Sequence, residues 1–238
     1  MSQPLHLKYL VPHEVQRALA RDSRLLVPVS TCEQHGPHLP LGCDGVIVER
    51  LAEDLSRACG VLVAPTVPYG VNTRTRRPFP GNAAVRRKTL HRWMNDLLAS
   101  WEEGGVTGFV ILTAHGDDPH QEALTTLRPR RARVFTVDIF ALDVSEYLED
   151  PTAPVHGGEL DTSLMLHLAP ELVRMDLAQD FELPERMRER HRRGAGSLPR
   201  RSPGSLGRPT LASADKGARI YKMIYERIAT RVLGATLP

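Results

Sequence analysis

The chain has 238 residues, enough for one sizeable core or two small ones. A charged fraction of 25%, a hydrophobic fraction of 41% and a net charge of +3 fit a soluble globular protein and argue against a nucleic-acid-binding role for the whole molecule. Cys32, Cys43 and Cys59 form no CxxC pair, the N-terminus has no basic-then-apolar leader, and no apolar run approaches the ~20 residues of a membrane span, so a cytoplasmic protein with free thiols is expected.

Residues 1–22 read as a lead-in with a short helix, and an apolar run predicts a first strand over 24–29. The chain then breaks into a loop that carries Glu33, His35, His38 and Asp44 among glycines and prolines. A helix is predicted over 44–58, with Asp44 near its N-cap and Gly60 ending it, and a short strand over 61–64. The long loop 65–86 holds Tyr69, Asn72, Arg74, Arg76, Arg77 and the turn Pro78-Phe79-Pro80-Gly81-Asn82; loops of this length in compact domains are usually functional or disordered. A helix over 87–103 is expected to bury Leu90, Trp93, Leu97 and Leu98.

The continuously apolar run 108–112 predicts a parallel strand buried on both faces, and it leads directly into Thr113-Ala114-His115-Gly116-Asp117-Asp118. Pro119 marks the first turn of a helix to about 127, and a fourth strand is predicted over 134–139. A loop over 151–158 leads into His156-Gly157-Gly158-Glu159-Leu160-Asp161-Thr162-Ser163, before an apolar helix over 164–168. Residues 182–208 are rich in Arg, Pro, Gly and Ser without apolar periodicity, so they read as a solvated excursion or an oligomer contact. The last segment, 212–233, is an amphipathic helix with Ile220, Met223, Ile224, Ile228 and Val232 on one face. Alternating strands and helices imply one three-layer α/β domain over residues 1–238, with a mainly parallel sheet.

Three polar groups are candidates for chemistry. Glu33 and His35 alternate in an extended loop and can point the same way, while Asp44 begins the next helix and can turn back over them. His115 stands at the end of a predicted strand, where loops of open α/β sheets converge on one crevice. His156, Glu159 and Asp161 surround a Gly-Gly pair that suggests a close-approach turn, although acids at a helix start also serve its dipole. Imidazoles and carboxylates without a thiolate pattern suit a dinuclear hydrolytic centre better than a structural zinc site.

Glu33-Gln34-His35-Gly36-Pro37-His38-Leu39-Pro40-Leu41-Gly42-Cys43-Asp44 strongly resembles the first signature of the creatininase family of metal-dependent amidohydrolases. Val67-Pro68-Tyr69-Gly70, Phe79-Pro80-Gly81-Asn82, Thr113-Ala114-His115-Gly116, His156 to Ser163 and Gly207 to Ala212 support the resemblance in the family's order. It implies an α/β/α domain, often a hexamer, with two divalent metal ions: zinc, manganese or iron. It further implies Glu33, His35, Asp44 and His115 as metal ligands with Asp44 bridging, and Glu159, or else Asp117, as the last ligand. His156 is then a proton-handling or substrate-orienting residue, with Asp117 and Glu159 as further catalytic candidates and Asp161 behind them.

The chain departs from the family at Thr113 to Asp118 and at Asn72 to Arg77, and its tryptophans, Trp93 and Trp101, sit at core spacing on a helix rather than at a pocket. These departures argue against creatinine itself as substrate. Tyr69, Arg74, Arg76 and Arg77 become the candidate substrate-binding residues, and the arginines suit an anionic small molecule. The expectation is a hydrolase using a metal-activated hydroxide on a non-peptide C–N bond of a cyclic amide, formamide or similar small amide. The alternatives are a peptide-maturing metallopeptidase of the same family and a non-hydrolytic metal- or ligand-binding member.

Overall fold

The structure, a computed structural model, describes residues 3–73, 78–153, 155–192 and 197–235. Its strands are β1 (Leu5–His6), β2 (Arg24–Pro28), β3 (Leu62–Val63), β4 (Gly108–Thr113) and β5 (Arg133–Asp138). They form one wholly parallel sheet in the order β1-β3-β2-β4-β5. At its centre β2 and β4 pair from Arg24 opposite Gly108 to Pro28 opposite Leu112.

Alternation along the strands builds two cores. Leu26, Val63, Val110 and Leu112 face α2 (Cys43–Cys59), α5 (Glu159–Leu168) and α7 (Ala214–Arg231). Leu25, Val27, Leu62, Phe109 and Ile111 face α1 (Pro12–Arg21), α3 (Arg87–Glu103) and α4 (Asp118–Thr125). Each of these buried side chains contributes roughly 1.5–3 kcal/mol. The expected three-layer α/β architecture is therefore observed.

Several boundaries differ from the sequence reading for local reasons. The helix expected over 164–168 already begins at Glu159, because its first turn is polar yet buried and escapes a search for apolar periodicity. Segment 182–208 contains a helix, α6 (Glu185–Arg192), whose residues favour helix although Met187 is its only apolar member. Beside it Leu183, Leu198 and Leu206 form a small buried cluster. Trp93 is 39% exposed and Met94 is buried instead.

Parallel strands bring their carboxyl ends to one edge, where the loops after β2, β4 and β5 meet. The end of β2 is held on both sides: Val29 N donates to Leu112 O at 2.8 Å, and Ser30 N to Val67 O at 2.9 Å. The loop that follows is strapped down by Asn82, whose Oδ1 accepts from Gln34 N at 2.8 Å.

Candidate metal centre

Glu33 and His35 come from the loop after β2, Asp44 from the first turn of α2, and His115 from the loop after β4. All four are buried. His35 Nε2 lies 3.1 Å from Asp44 Oδ1, and His115 Nδ1 lies 2.9 Å from Glu33 Oε1 and 3.3 Å from Asp44 Oδ2. The two oxygens of Asp44 thus face different imidazoles. Thr31 Oγ1 donates to Asp44 Oδ2 at 2.5 Å and fixes its rotation.

Hydrogen bonds away from the cluster assign the tautomers. His35 Nδ1 lies 3.1 Å from the Glu33 carbonyl oxygen and His115 Nε2 lies 3.0 Å from that of Val71, so each of these nitrogens donates. The lone pairs of His35 Nε2 and His115 Nδ1 then point at carboxylate oxygens. A second ring N–H held by a backbone carbonyl is the usual support of a metal-binding imidazole. Glu33 Oε1 and Asp44 Oδ1 are buried without a hydrogen bond. Lone pairs facing lone pairs require a positive charge between them, supplied by protons or by a cation. Burial alone would lower the His35 pKa, but Asp44 and Glu33 carry it up to about 10. The donor set fits divalent ions.

His156 is placed differently. Gly36 N donates to Gln34 Oε1 at 3.0 Å, which fixes that amide, so Gln34 Nε2 donates to His156 Nε2 at 3.0 Å. The proton of neutral His156 therefore sits on Nδ1, 3.9 Å from Glu33 Oε1. Burial, with His35 beside it, pushes the imidazole pKa down to about 4. Gly157 permits this approach: its φ is +62°, and a Cβ there would lie 2.4 Å from His35 O. The Gly-Gly pair is the close-approach turn its sequence suggests.

A cavity of about 310 Å³ opens over the cluster. Glu33, His35, His115, His156 and Asp161 line it, joined by Asp138, Phe140, Val155, His191, Leu198 and Leu206. Asp161 Oδ2 accepts from Gly157 N at 2.5 Å, its Oδ1 is buried without a hydrogen bond, and burial pushes its carboxyl up to about 6.

Residues 9–232 match the creatininase (creatinine amidohydrolase) family. The chain belongs to the creatininase family. It is 31% identical to a mycofactocin precursor peptide peptidase of Mycolicibacterium smegmatis, over 87% of this chain and 83% of that one. It is 25% identical to the 3-dehydro-scyllo-inosose hydrolase of Thermotoga maritima, over 89% and 77%, and 26% identical to the creatinine amidohydrolase of Pseudomonas putida, over 91% and 91%. Among solved structures, a zinc–zinc form of a creatininase variant superposes with a TM-score of 0.77 at 22% identity, covering both chains fully. A manganese creatininase does so with 0.74 at 21%, over 99% of this chain and 100% of that one.

In this creatininase-family chain the structure brings together Glu33, His35, Asp44, His115 and His156, but not every residue the sequence nominates. Glu159 is not at the cluster. Its carboxylate accepts from Glu149 N and Asp150 N and pairs with buried Lys216 Nζ, so its charge is already spent. Asp117 is buried, with both oxygens taken by Thr73 Oγ1 and Oδ2 also by Thr73 N. Among the described residues, neither acid joins the convergent ligand atoms. Tyr69 is 44% exposed and does not line the cavity. Arg74, Arg76 and Arg77 lie outside the described residues.

Other residues join the site unannounced. Cys43 lies beside His35 and Asp44, and burial with the neighbouring carboxylates holds its thiol well above the ordinary range, hence protonated. His120 packs edge-on against His115, accepts from Val71 N at 3.2 Å and donates to Thr113 Oγ1 at 3.1 Å. It thereby fixes the residue whose carbonyl holds His115. Its position at the start of α4, five residues from His115, gave no ligand spacing to notice. Asp138, at the end of β5, and His191, on α6, line the cavity.

Proposed function

We propose that the chain is a metal-dependent hydrolase of a small amide, cleaving a C–N bond other than a peptide bond, as in a cyclic amide or a formamide. The observation that carries this reading is the pair of buried, unbonded oxygens, Glu33 Oε1 and Asp44 Oδ1, beside the lone pairs of His35 and His115. These four residues would hold two divalent ions with Asp44 shared, and their donors suit zinc first, then manganese or iron. Bound there, the ions supply a nucleophile active at neutral pH and polarise the amide carbonyl.

The chain's own residues do the rest. Gln34 keeps the His156 proton on Nδ1, facing the cluster, where it donates a hydrogen bond to the developing oxyanion. Asp161 Oδ1 accepts a substrate N–H and orients the amide. Phe140 and Val155 shield the reacting bond from bulk water. An anionic substituent read by Arg74, Arg76 and Arg77, and assembly as a homo-oligomer, belong to the same proposal.

A second reading, cleavage of a peptide, is favoured by the 31% identity to a precursor peptide peptidase. One experiment separates the two. Protein purified without added metal is assayed for metal content, beside a His35→Ala/His115→Ala variant, then loaded with zinc or manganese and offered cyclic amides, formamides and short peptides. The expected result is about two ions per native chain, loss in the variant, and turnover of small amides. Turnover of peptides alone selects the second reading, and failure to bind metal after reconstitution overturns both.

A further inference from the structure

Described residues of the arginine-rich segment, unused by the chemistry above, close one side of the cavity. His191 of α6, Leu198 and Leu206 line it, facing the same space as Val155 and Phe140. His191 is 5% exposed and its Nε2 lies 3.2 Å from the carbonyl oxygen of Ser197, to which it donates. Leu183, Leu198 and Leu206 pack together with Phe181 and Met187 beside them, so the segment has an apolar seat of its own.

Arg188 pins that seat in place. Its Nε donates to Leu183 O at 2.9 Å, Nη2 to Glu182 Oε2 at 3.0 Å and Nη1 to Thr152 Oγ1 at 3.1 Å, and Nη1 also stands 3.6 Å from Asp150 Oδ2. Asp150 and Thr152 belong to the loop that carries Val155 and His156 into the cavity. The same loop is tied from below, where Glu159 accepts from the N–H groups of Glu149 and Asp150 and is paired with Lys216 of α7. A continuous line of charge thus runs from the core at Lys216 through Glu159 and residues 149–150 to Arg188 and α6. The Arg188 guanidinium is occupied by the protein itself.

We propose that this wall selects the substrate, with His191, Leu198 and Leu206 as specificity residues and Arg188 as the positioning residue. The molecule it accepts is compact with an apolar edge, and an extended peptide is excluded. The cavity's 310 Å³ lies at the lower end of small-molecule pockets, roughly 300–1,000 Å³. This inference rests on the metal-centre reading above, and its test keeps the two apart.

Zinc-loaded protein is titrated calorimetrically with two probes that share a metal-binding hydroxamate, acetohydroxamate and a tripeptide hydroxamate. Wild type binds acetohydroxamate in preference. Leu198→Ala/Leu206→Ala and Arg188→Ala raise the affinity for the tripeptide probe relative to acetohydroxamate by at least about tenfold, and Arg188→Lys does so in part. Wild-type binding of the tripeptide probe at the same affinity, or an unchanged ratio in the wall variants, overturns the wall. A second measurement needs no metal: carbethoxylation of His191 by diethyl pyrocarbonate, mapped by mass spectrometry, with folding checked by circular dichroism. It is slow in wild type and fast in Arg188→Ala; equal rates overturn the anchoring role. Absence of zinc from wild type with His191 still protected removes the metal-centre reading and leaves the wall standing.

Discussion

Lys216→Met tests the most consequential rearrangement between sequence and structure. The side chains of Glu159 and Lys216 are 3% and 7% exposed, so solvent does little to screen them. Removing one partner of a buried pair leaves an uncompensated charge and costs about 3–5 kcal/mol. Glu159 would keep the N–H groups of Glu149 and Asp150, which favours the low end of that range. About 3 kcal/mol in a chain of this length lowers the melting temperature by about 6–12 °C. Differential scanning calorimetry at neutral pH reads the shift. Glu159→Gln/Lys216→Met removes both charges together and recovers most of the loss, while zinc content stays at the wild-type value in both variants. A fall below about 2 °C, or a double variant no better than the single, refutes the pairing argument. Loss of zinc in Glu159→Gln alone would return Glu159 to the ligand set.

Gly70→Ala strikes the support of His115 without touching it. A Cβ there would lie 2.5 Å from the His120 ring and 2.7 Å from Ser30 O, so overpacking of about 1–3 kcal/mol is expected, with weaker zinc retention against a chelator. Gln34→Ala releases the His156 tautomer: turnover of any amide substrate found falls about 10–100-fold while two metals remain bound, as inductively coupled plasma measurements would show. Asp44→Asn reduces metal binding at both positions, and zinc at a hundred times its Kd stabilises wild type by about 2.7 kcal/mol but not this variant.

The sheet was legible because buried parallel strands are continuously apolar. Leu25 to Val29 and Phe109 to Leu112 carry that signal, and the β2–β4 pairing follows it. Helix α3 was legible through its apolar spacing, although Trp93 turned outward, because a stripe one residue wide cannot choose between Trp93 and Met94. The first loop was legible as a set of donors because Glu33, His35 and Asp44 are close in sequence and one short loop must converge on itself.

Long-range polar pairing was not legible, and it decides the roles of the remaining acids. Lys216 stands 57 positions from Glu159 and Thr73 stands 44 from Asp117, so no local pattern could say that these carboxylates were already matched. The same holds for α6. An eight-residue helix with one methionine shows no amphipathic stripe, and its burial depends on Leu183, Leu198 and Leu206, which flank it on either side. Composition reads Arg188 as one charge of a solvated run, whereas the charges that meet it, Asp150 and Glu182, make it a half-buried fastening. Composition counts charges, but whether a carboxylate is a ligand or a fastening depends on which cation reaches it first. In this chain Lys216 reaches Glu159, while Glu33 Oε1 and Asp44 Oδ1 stay buried without a hydrogen bond.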